Sequence, residues 1–163
     1  MSSSNSYSYI IDNIYVGDIF SSNCQSLLND IDCVVSLVDN VIKHPNIDYL
    51  SIPIEDIPEV NIIPICQNVY DYIEKNNEKK ILIHCLAGGS RSVSMVMYYI
   101  MKKYNKSFCE TYDLILSKHP NVNINNGFAS QLKSVTITRL WNLYNTVDIM
   151  LCIIWYDSFG FIV

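Results

Sequence analysis

The segment His84-Cys85-Leu86-Ala87-Gly88-Gly89-Ser90-Arg91-Ser92 sets a thiol at the head of a run of small residues and an arginine at its close. A thiol acts as a nucleophile only as its thiolate, and a thiolate needs positive surroundings. Two glycines let the backbone turn tightly enough to aim several N–H groups to one side. Such a nest, at the positive end of a helix, binds an anion and stabilises a thiolate at Cys85. Arg91 stands six positions after Cys85, where the loop closes. Its planar fork can hold two phosphate oxygens at once. Sulfur attack on a bound phosphate is the chemistry this combination can do.

Two rival readings of the segment fail on residue type. The ATP-binding loop GxxxxGK[ST] needs a lysine that is absent here. A cysteine protease needs a histidine base within reach of the sulfur. His84 is adjacent to Cys85 in a strand, so its side chain points to the opposite face. His44 and His119 lie in no recognisable motif. His84 is read instead as a buried residue that orders the loop by hydrogen bonding. A proton donor is also needed. Asp56 is one acidic loop residue among several, with Glu55 beside it the nearest competitor.

The elements that must position these residues alternate between strand and helix. Ile14 to Gly17, Cys33 to Val38 and Tyr49 to Ile54 read as strands, and 55–59 as a loop broken by Pro58. Ile62, Ile65, Cys66, Val69, Tyr72 and Ile73 recur at helical spacing, with Asn61 as cap and Pro64 in the first turn. Ile81 to Ile83 lacks polar alternation, as a parallel strand covered on both faces should. After the Cys85 loop, Val93, Val96, Met97, Ile100, Met101 and Tyr104 form one apolar stripe. Ser107 and Glu110 make a capping box for a helix ending near Lys118, where His119-Pro120 stops it. A further helix starts near Asn126. The alternation predicts an α/β fold with a central, mostly parallel sheet flanked by helices. Residues 1–8 read as a flexible N-terminus, 9–140 as the folded domain, and 141–163 as an apolar C-terminal extension. Its run Ile149 to Tyr156 is too short to span a bilayer.

The 163 residues suit one core, and only 17% are charged. A net charge of −5 makes the chain a poor general binder of nucleic acid or anionic membrane. Any anionic substrate must be held by a local positive site working against the overall field. The six cysteines form no CxxC pair, and the first residues lack the charged start and apolar run of a signal peptide. Reduced thiols in an intracellular compartment, cytoplasmic or nuclear, are therefore expected. Cys33, Cys66 and Cys109, on apolar strand or helix positions, are expected to be protected from oxidants, unlike Cys85.

The loop resembles the HCxxGxxR[ST] signature of the protein tyrosine phosphatase superfamily, and above all the HCxAGxSRS loop of its small dual-specificity branch. The resemblance extends over roughly residues 9–135. Ile14-Tyr15-Val16-Gly17 is similar to the family's LYLG motif, and Tyr49 to Asp56 to the stretch that ends in its general-acid aspartate. Asn125-Asn126-Gly127-Phe128 with Gln131-Leu132 is similar to its NxGFxxQL motif, with Ile124 where the family has proline.

The resemblance implies a role for each matched residue. Cys85 would attack phosphorus and form a phosphocysteine. Arg91 and the amides of Leu86, Ala87, Gly88, Gly89 and Ser90 would bind the equatorial oxygens. Asp56 would protonate the leaving oxygen and then act as base toward water. Ser92 would hydrogen-bond the departing thiolate, and Asn125 would support the loop. No metal or other cofactor is needed. The implied substrate is a protein carrying phosphotyrosine or phosphoserine/phosphothreonine. The alternatives are an RNA 5′-phosphate, a phosphoinositide, or a phosphopeptide-binding module with little turnover. The loop has no lysine or arginine ahead of Arg91 to favour an inositol phosphate. No nucleic-acid partner and no membrane span are expected, and the apolar C-terminus offers a surface for self-association.

Overall fold

In the strands that carry the site, successive side chains point to opposite faces, and both faces are covered. The computed structural model describes residues 6–135. Strands β1 (Tyr7–Ile11), β2 (Ile14–Gly17), β3 (Cys33–Ser36), β4 (Asp48–Ser51) and β5 (Ile81–His84) form one sheet in the order β1-β2-β5-β3-β4. All neighbours from β2 to β4 pair in parallel, while β1 is antiparallel to β2. The fold is α/β, with a mostly parallel central sheet. Ile14, Val16, Cys33, Val35, Ile81 and Ile83 face the main core. Val34 and Leu82 face a second cluster with Leu27 and Leu28 of the short helix α1 (Gln25–Leu28). Double coverage is why β3 and β5 are apolar without interruption.

The main core is closed by α2 (Ile63–Lys75), α3 (Arg91–Lys103) and α4 (Phe108–Lys118). Pro64 lies in the first turn of α2, and Asn61 Oδ1 accepts from Ile63 N at 3.3 Å. The capping box of α4 forms with both of its bonds, and Ser107 holds the exposed Glu110 carboxyl below its usual range. Residues 126–135 are helical. The single apolar stripe expected for α3 understates its burial. Every residue from Ser92 to Met101 is buried, because α3 lies between the sheet, α2 and α4. Small side chains at Ser92 and Ser94 let its other face approach the loop. Tyr104, the last residue of the expected stripe, is 39% exposed.

Three features depart most from the sequence reading. Tyr7 and Ser8, inside the segment read as flexible, already stand in β1. The Tyr7 and Tyr9 rings meet Tyr15 edge-on, and the Asp12-Asn13 turn with positive φ at both residues makes the tight hairpin. Second, β4 ends at Ser51 rather than Ile54, as Pro53 has no N–H to offer a ladder. Ile52 N still donates to Ser36 O at 2.9 Å and keeps the chain beside β3. Third, Cys109 is exposed, because Thr111 and Ile115 define the inner face of α4 and position 109 points away from it. The apolar run 149–156 and the extension 141–163 lie outside the described residues. Among the described residues no helix is long and apolar enough to cross a membrane.

Burial sets the thiols apart. It raises the thiol pKa of Cys33 and pushes that of Cys66 up to about 12, whereas the Ser26 hydroxyl lowers that of the more open Cys24. Iodoacetamide on the folded chain should therefore alkylate Cys24 and Cys109 well before Cys33 and Cys66, as read by peptide mass spectrometry. Cys66 reacting at a rate near that of Cys109 would contradict the packing described.

Candidate active site

Parallel strands end together, so the carboxyl ends of β2, β3, β4 and β5 share one edge of the sheet, where sites of open α/β folds form. The loop from Cys85 to Ser90 leaves β5 there and enters α3. At Gly88 φ is +74°, and a Cβ would lie 3.0 to 3.1 Å from the backbone of Gly17 and Asp18. Only glycine fits this left-handed turn pressed against the end of β2. Cys85 N donates to Gly17 O at 3.3 Å, and Ile19 N donates to Leu86 O at 3.2 Å.

The loop's carbonyls are occupied on its outer side. Besides Leu86 O, Gly88 O accepts from His119 Nε2 at 2.9 Å and Gly89 O from Asn123 N at 2.8 Å. In a planar trans peptide the next N–H points the other way. Tying these carbonyls outward therefore turns the amides of Ala87, Gly89 and Ser90 inward. Gly88 N shows the direction, since it donates to Cys85 Sγ at 3.2 Å. Ser92 Oγ, buried in the first turn of α3, is 3.3 Å from the same sulfur. The thiol is thus bracketed by an amide, a hydroxyl and a helix N-terminus.

Arg91 begins α3 with its side chain only 12% exposed. Its Nη1 donates to Ile54 O at 3.0 Å and lies 3.5 Å from Leu37 O. Its Nε is buried without a hydrogen-bond partner, because Asp56 Oδ2 at 3.6 Å makes an ion pair too long for a hydrogen bond. The two nearby carbonyls thus hold the guanidinium while leaving a donor for an anion.

Asp56, not Glu55, is aimed at the loop. Its Oδ1 accepts from Ser90 Oγ at 2.7 Å and from Asn125 Nδ2 at 2.6 Å. Asn125 spends its own Oδ1 on Phe128 N, and its backbone N donates to Ser90 Oγ at 3.2 Å. The buried Phe128 anchors this cap. A Cβ at Gly127 would lie 2.2 Å from Pro58 O, so the segment carrying Asp56 rests against the glycine backbone. The structure therefore brings Cys85, Arg91, Ser92, Ser90, Asp56 and Asn125 together. Leu86 and Ala87 are exposed on the loop's outer turn, while Gly88, Gly89 and Ser90 are buried.

His84 is fully buried, as expected, and its ring lies beside the Cys85 backbone without a close hydrogen bond at either nitrogen. Burial lowers its pKa; the nearby Cys85 backbone and Asp18 carboxylate only oppose that shift. The close hydrogen bond to the loop belongs to His119, 31 residues from Gly88 and 3% exposed. A carbonyl can only accept, so His119 Nε2 carries the proton and donates to Gly88. Nδ1 of that tautomer accepts from Ser8 Oγ at 2.9 Å. Around position 119 the sequence marks a helix stop and no motif, because the partners of His119 on β1 and the loop are remote in the chain.

A family model described as "Dual specificity phosphatase, catalytic domain" matches residues 14–137. The chain belongs to this family. "MAP kinase phosphatase with leucine-rich repeats protein 2" of Dictyostelium discoideum is 35% identical over 128 residues, covering 76% of this chain and 18% of that protein. A probable dual specificity protein phosphatase of the same organism is 32% identical over 136 residues, covering 82% of this chain and 64% of its own length. The chain thus spans less than two thirds of either relative. The crystal structure of DUSP15 superposes with a TM-score of 0.77 at 25% identity, over 87% of this chain and 94% of that one. Among the described residues no group of His, Cys, Asp or Glu could hold a metal ion.

The dual specificity phosphatase loop can be tested through its two histidines. His119→Ala removes the donor to Gly88 O and should lower kcat about tenfold or more while destabilising the fold by about 1–3 kcal/mol. His119→Gln, which can still donate, should recover part of kcat. Steady-state kinetics of the pair check this, and a kcat unaltered in His119→Ala would separate the bond from the loop's chemistry. For His84, the lowered native pKa means that the unfolded chain binds its proton first, near pH 6.5. Stability should fall as pH drops below that value, and His84→Asn should lose less than the parent between pH 7.5 and 5.5 in urea titrations.

Proposed function

We propose that this chain is a protein phosphatase that hydrolyses phosphotyrosine and phosphoserine/phosphothreonine through a phosphocysteine intermediate. The convergence of Cys85 Sγ, the partnerless buried Nε of Arg91 and Asp56 on one loop of inward amides carries this reading. The thiolate attacks phosphorus in line and displaces the substrate oxygen. Loop amides and Arg91 bind the equatorial oxygens, most strongly as charge shifts onto them in the transition state. Asp56 delivers its proton to the leaving oxygen. Water, deprotonated by the same carboxylate, then attacks the phosphocysteine, and inorganic phosphate departs as the thiolate re-forms. Ser92 Oγ, 3.3 Å from the sulfur, would stabilise that leaving thiolate. A reducing, intracellular compartment suits a reaction that depends on a free thiol. Cys24, Cys33, Cys66, Cys85 and Cys109 are all unpaired.

Cys85→Ser should abolish turnover while phosphate still binds, because the amides and Arg91 remain. Asp56→Asn should slow poor leaving groups such as an alkyl phosphoserine by about 10²- to 10⁴-fold, and 4-nitrophenyl phosphate much less. Rates on a phosphopeptide panel, phosphoinositides and triphosphate RNA measure both effects and the substrate class together. If Glu55→Gln gives the leaving-group pattern and Asp56→Asn does not, the proton donor is the other carboxylate. Turnover confined to RNA or lipid would overturn the protein substrate.

A further inference from the structure

Beside Arg91, toward β3 and β4, the surface opens into a cavity of about 470 Å³. Val38, Pro53, Ile54 and Leu86 give it apolar walls. Leu86, which also belongs to the Cys85 loop, is 60% exposed. Two acidic residues, Asp39 and Glu55, complete the lining. Neither carboxylate has a hydrogen-bond or ion-pair partner among the described residues. The lining holds no cation except Arg91, whose Nη1 is already committed to Ile54 O.

We propose that this cavity is a specificity subsite that takes a lysine or arginine side chain flanking the phosphorylated residue. The inference rests on the protein phosphatase reading. A phosphoresidue seated over Cys85 places its chain neighbours within one or two residue lengths of this cavity, at about 3.3 Å per residue. An aliphatic stem suits the apolar walls, and a cationic head suits two carboxylates that lack any other partner. Arg91 does not reverse the sign, because it is ion-paired with Asp56 and its remaining donor faces the phosphate of the bound phosphoresidue. The chain's net charge of −5 adds to the same field. A glutamate, or a second phosphate close to the first, would meet two carboxylates, with the Arg91 donor already taken by the first phosphate. The subsite therefore selects singly phosphorylated, basic-flanked sequences.

The test uses phosphotyrosine peptides identical except at one position, scanned over two places on each side of the phosphoresidue. That position carries lysine, norleucine or glutamate. At one position kcat/KM should favour lysine over glutamate about tenfold and over norleucine about threefold, the ratios shrinking as salt is raised. In the Asp39→Asn/Glu55→Gln double variant the lysine-to-norleucine ratio should fall to about one. Norleucine matching lysine at every position would overturn the subsite, as would a ratio unchanged by salt or by the double variant. Turnover of 4-nitrophenyl phosphate without turnover of any peptide would instead overturn the protein phosphatase reading. Peptide turnover with no lysine preference overturns only the subsite. The salt dependence is measured on the parent chain, so the proposal stays testable if the variant does not fold.

Discussion

A loop can turn its amides toward a bound anion only if its carbonyls find donors on the other side. Here Ile19 N, His119 Nε2 and Asn123 N accept that duty for Leu86, Gly88 and Gly89. A buried carbonyl left without a donor costs about 1–3 kcal/mol, enough to let the peptide flip and spoil the cradle. Much of the surrounding architecture serves this condition. The end of β2 lies against Gly88, α4 ends where it delivers His119, and the segment before the 126–135 helix supplies Asn123. On the proposed reading, the positive potential that an acidic chain needs for an anionic substrate comes from backbone dipoles and one guanidinium rather than from surface lysines.

The same economy of partners places the acid. Asp56 sits on an exposed loop with no regular structure of its own, yet Ser90, Asn125 and Arg91 all converge on its carboxylate. Gly127 against Pro58 fixes the backbone that carries it. Asn125 joins three jobs in one side chain and one amide: it caps the last described helix, steadies Asp56 and contacts Ser90 of the loop. Gln131 adds a further tie, since its amide bonds both Ile62 N and Val60 O beyond the same loop. The thiol side and the acid side of the site are consequently one hydrogen-bonded unit.

What the sequence displayed was whatever local spacing encodes. The cysteine-to-arginine loop, the helix with Pro64 in its first turn, the Ser107–Glu110 box and the uninterrupted strand before Cys85 are statements about neighbours within one or two turns, and the fold class followed from their alternation. What it did not display were relations across the chain. His119 stands 111 residues from Ser8 and 31 from Gly88, so nothing around it marks it as a loop brace, and the role fell to the adjacent His84 instead. The first strand was missed because a polar, serine-rich start hides two tyrosines whose partner, Tyr15, lies across a hairpin. Cys109 is exposed against expectation because a residue next to an apolar one, here Phe108, still points wherever 100° per residue sends it.

The relay from Ser8 through His119 to Gly88 also bears on how the protein is made. It joins the first strand, the central loop and the end of α4, three pieces that share no local contact order. Closing it spans 111 residues on one side and 31 on the other, which a growing chain cannot do until α4 has emerged. The core strands and α3 hold Cys85 buried among them, yet the Gly88 carbonyl gains its donor only once the end of α4 has docked against the loop. A chain cut short before the end of α4 therefore lacks the donor that holds the Gly88 peptide in the complete fold.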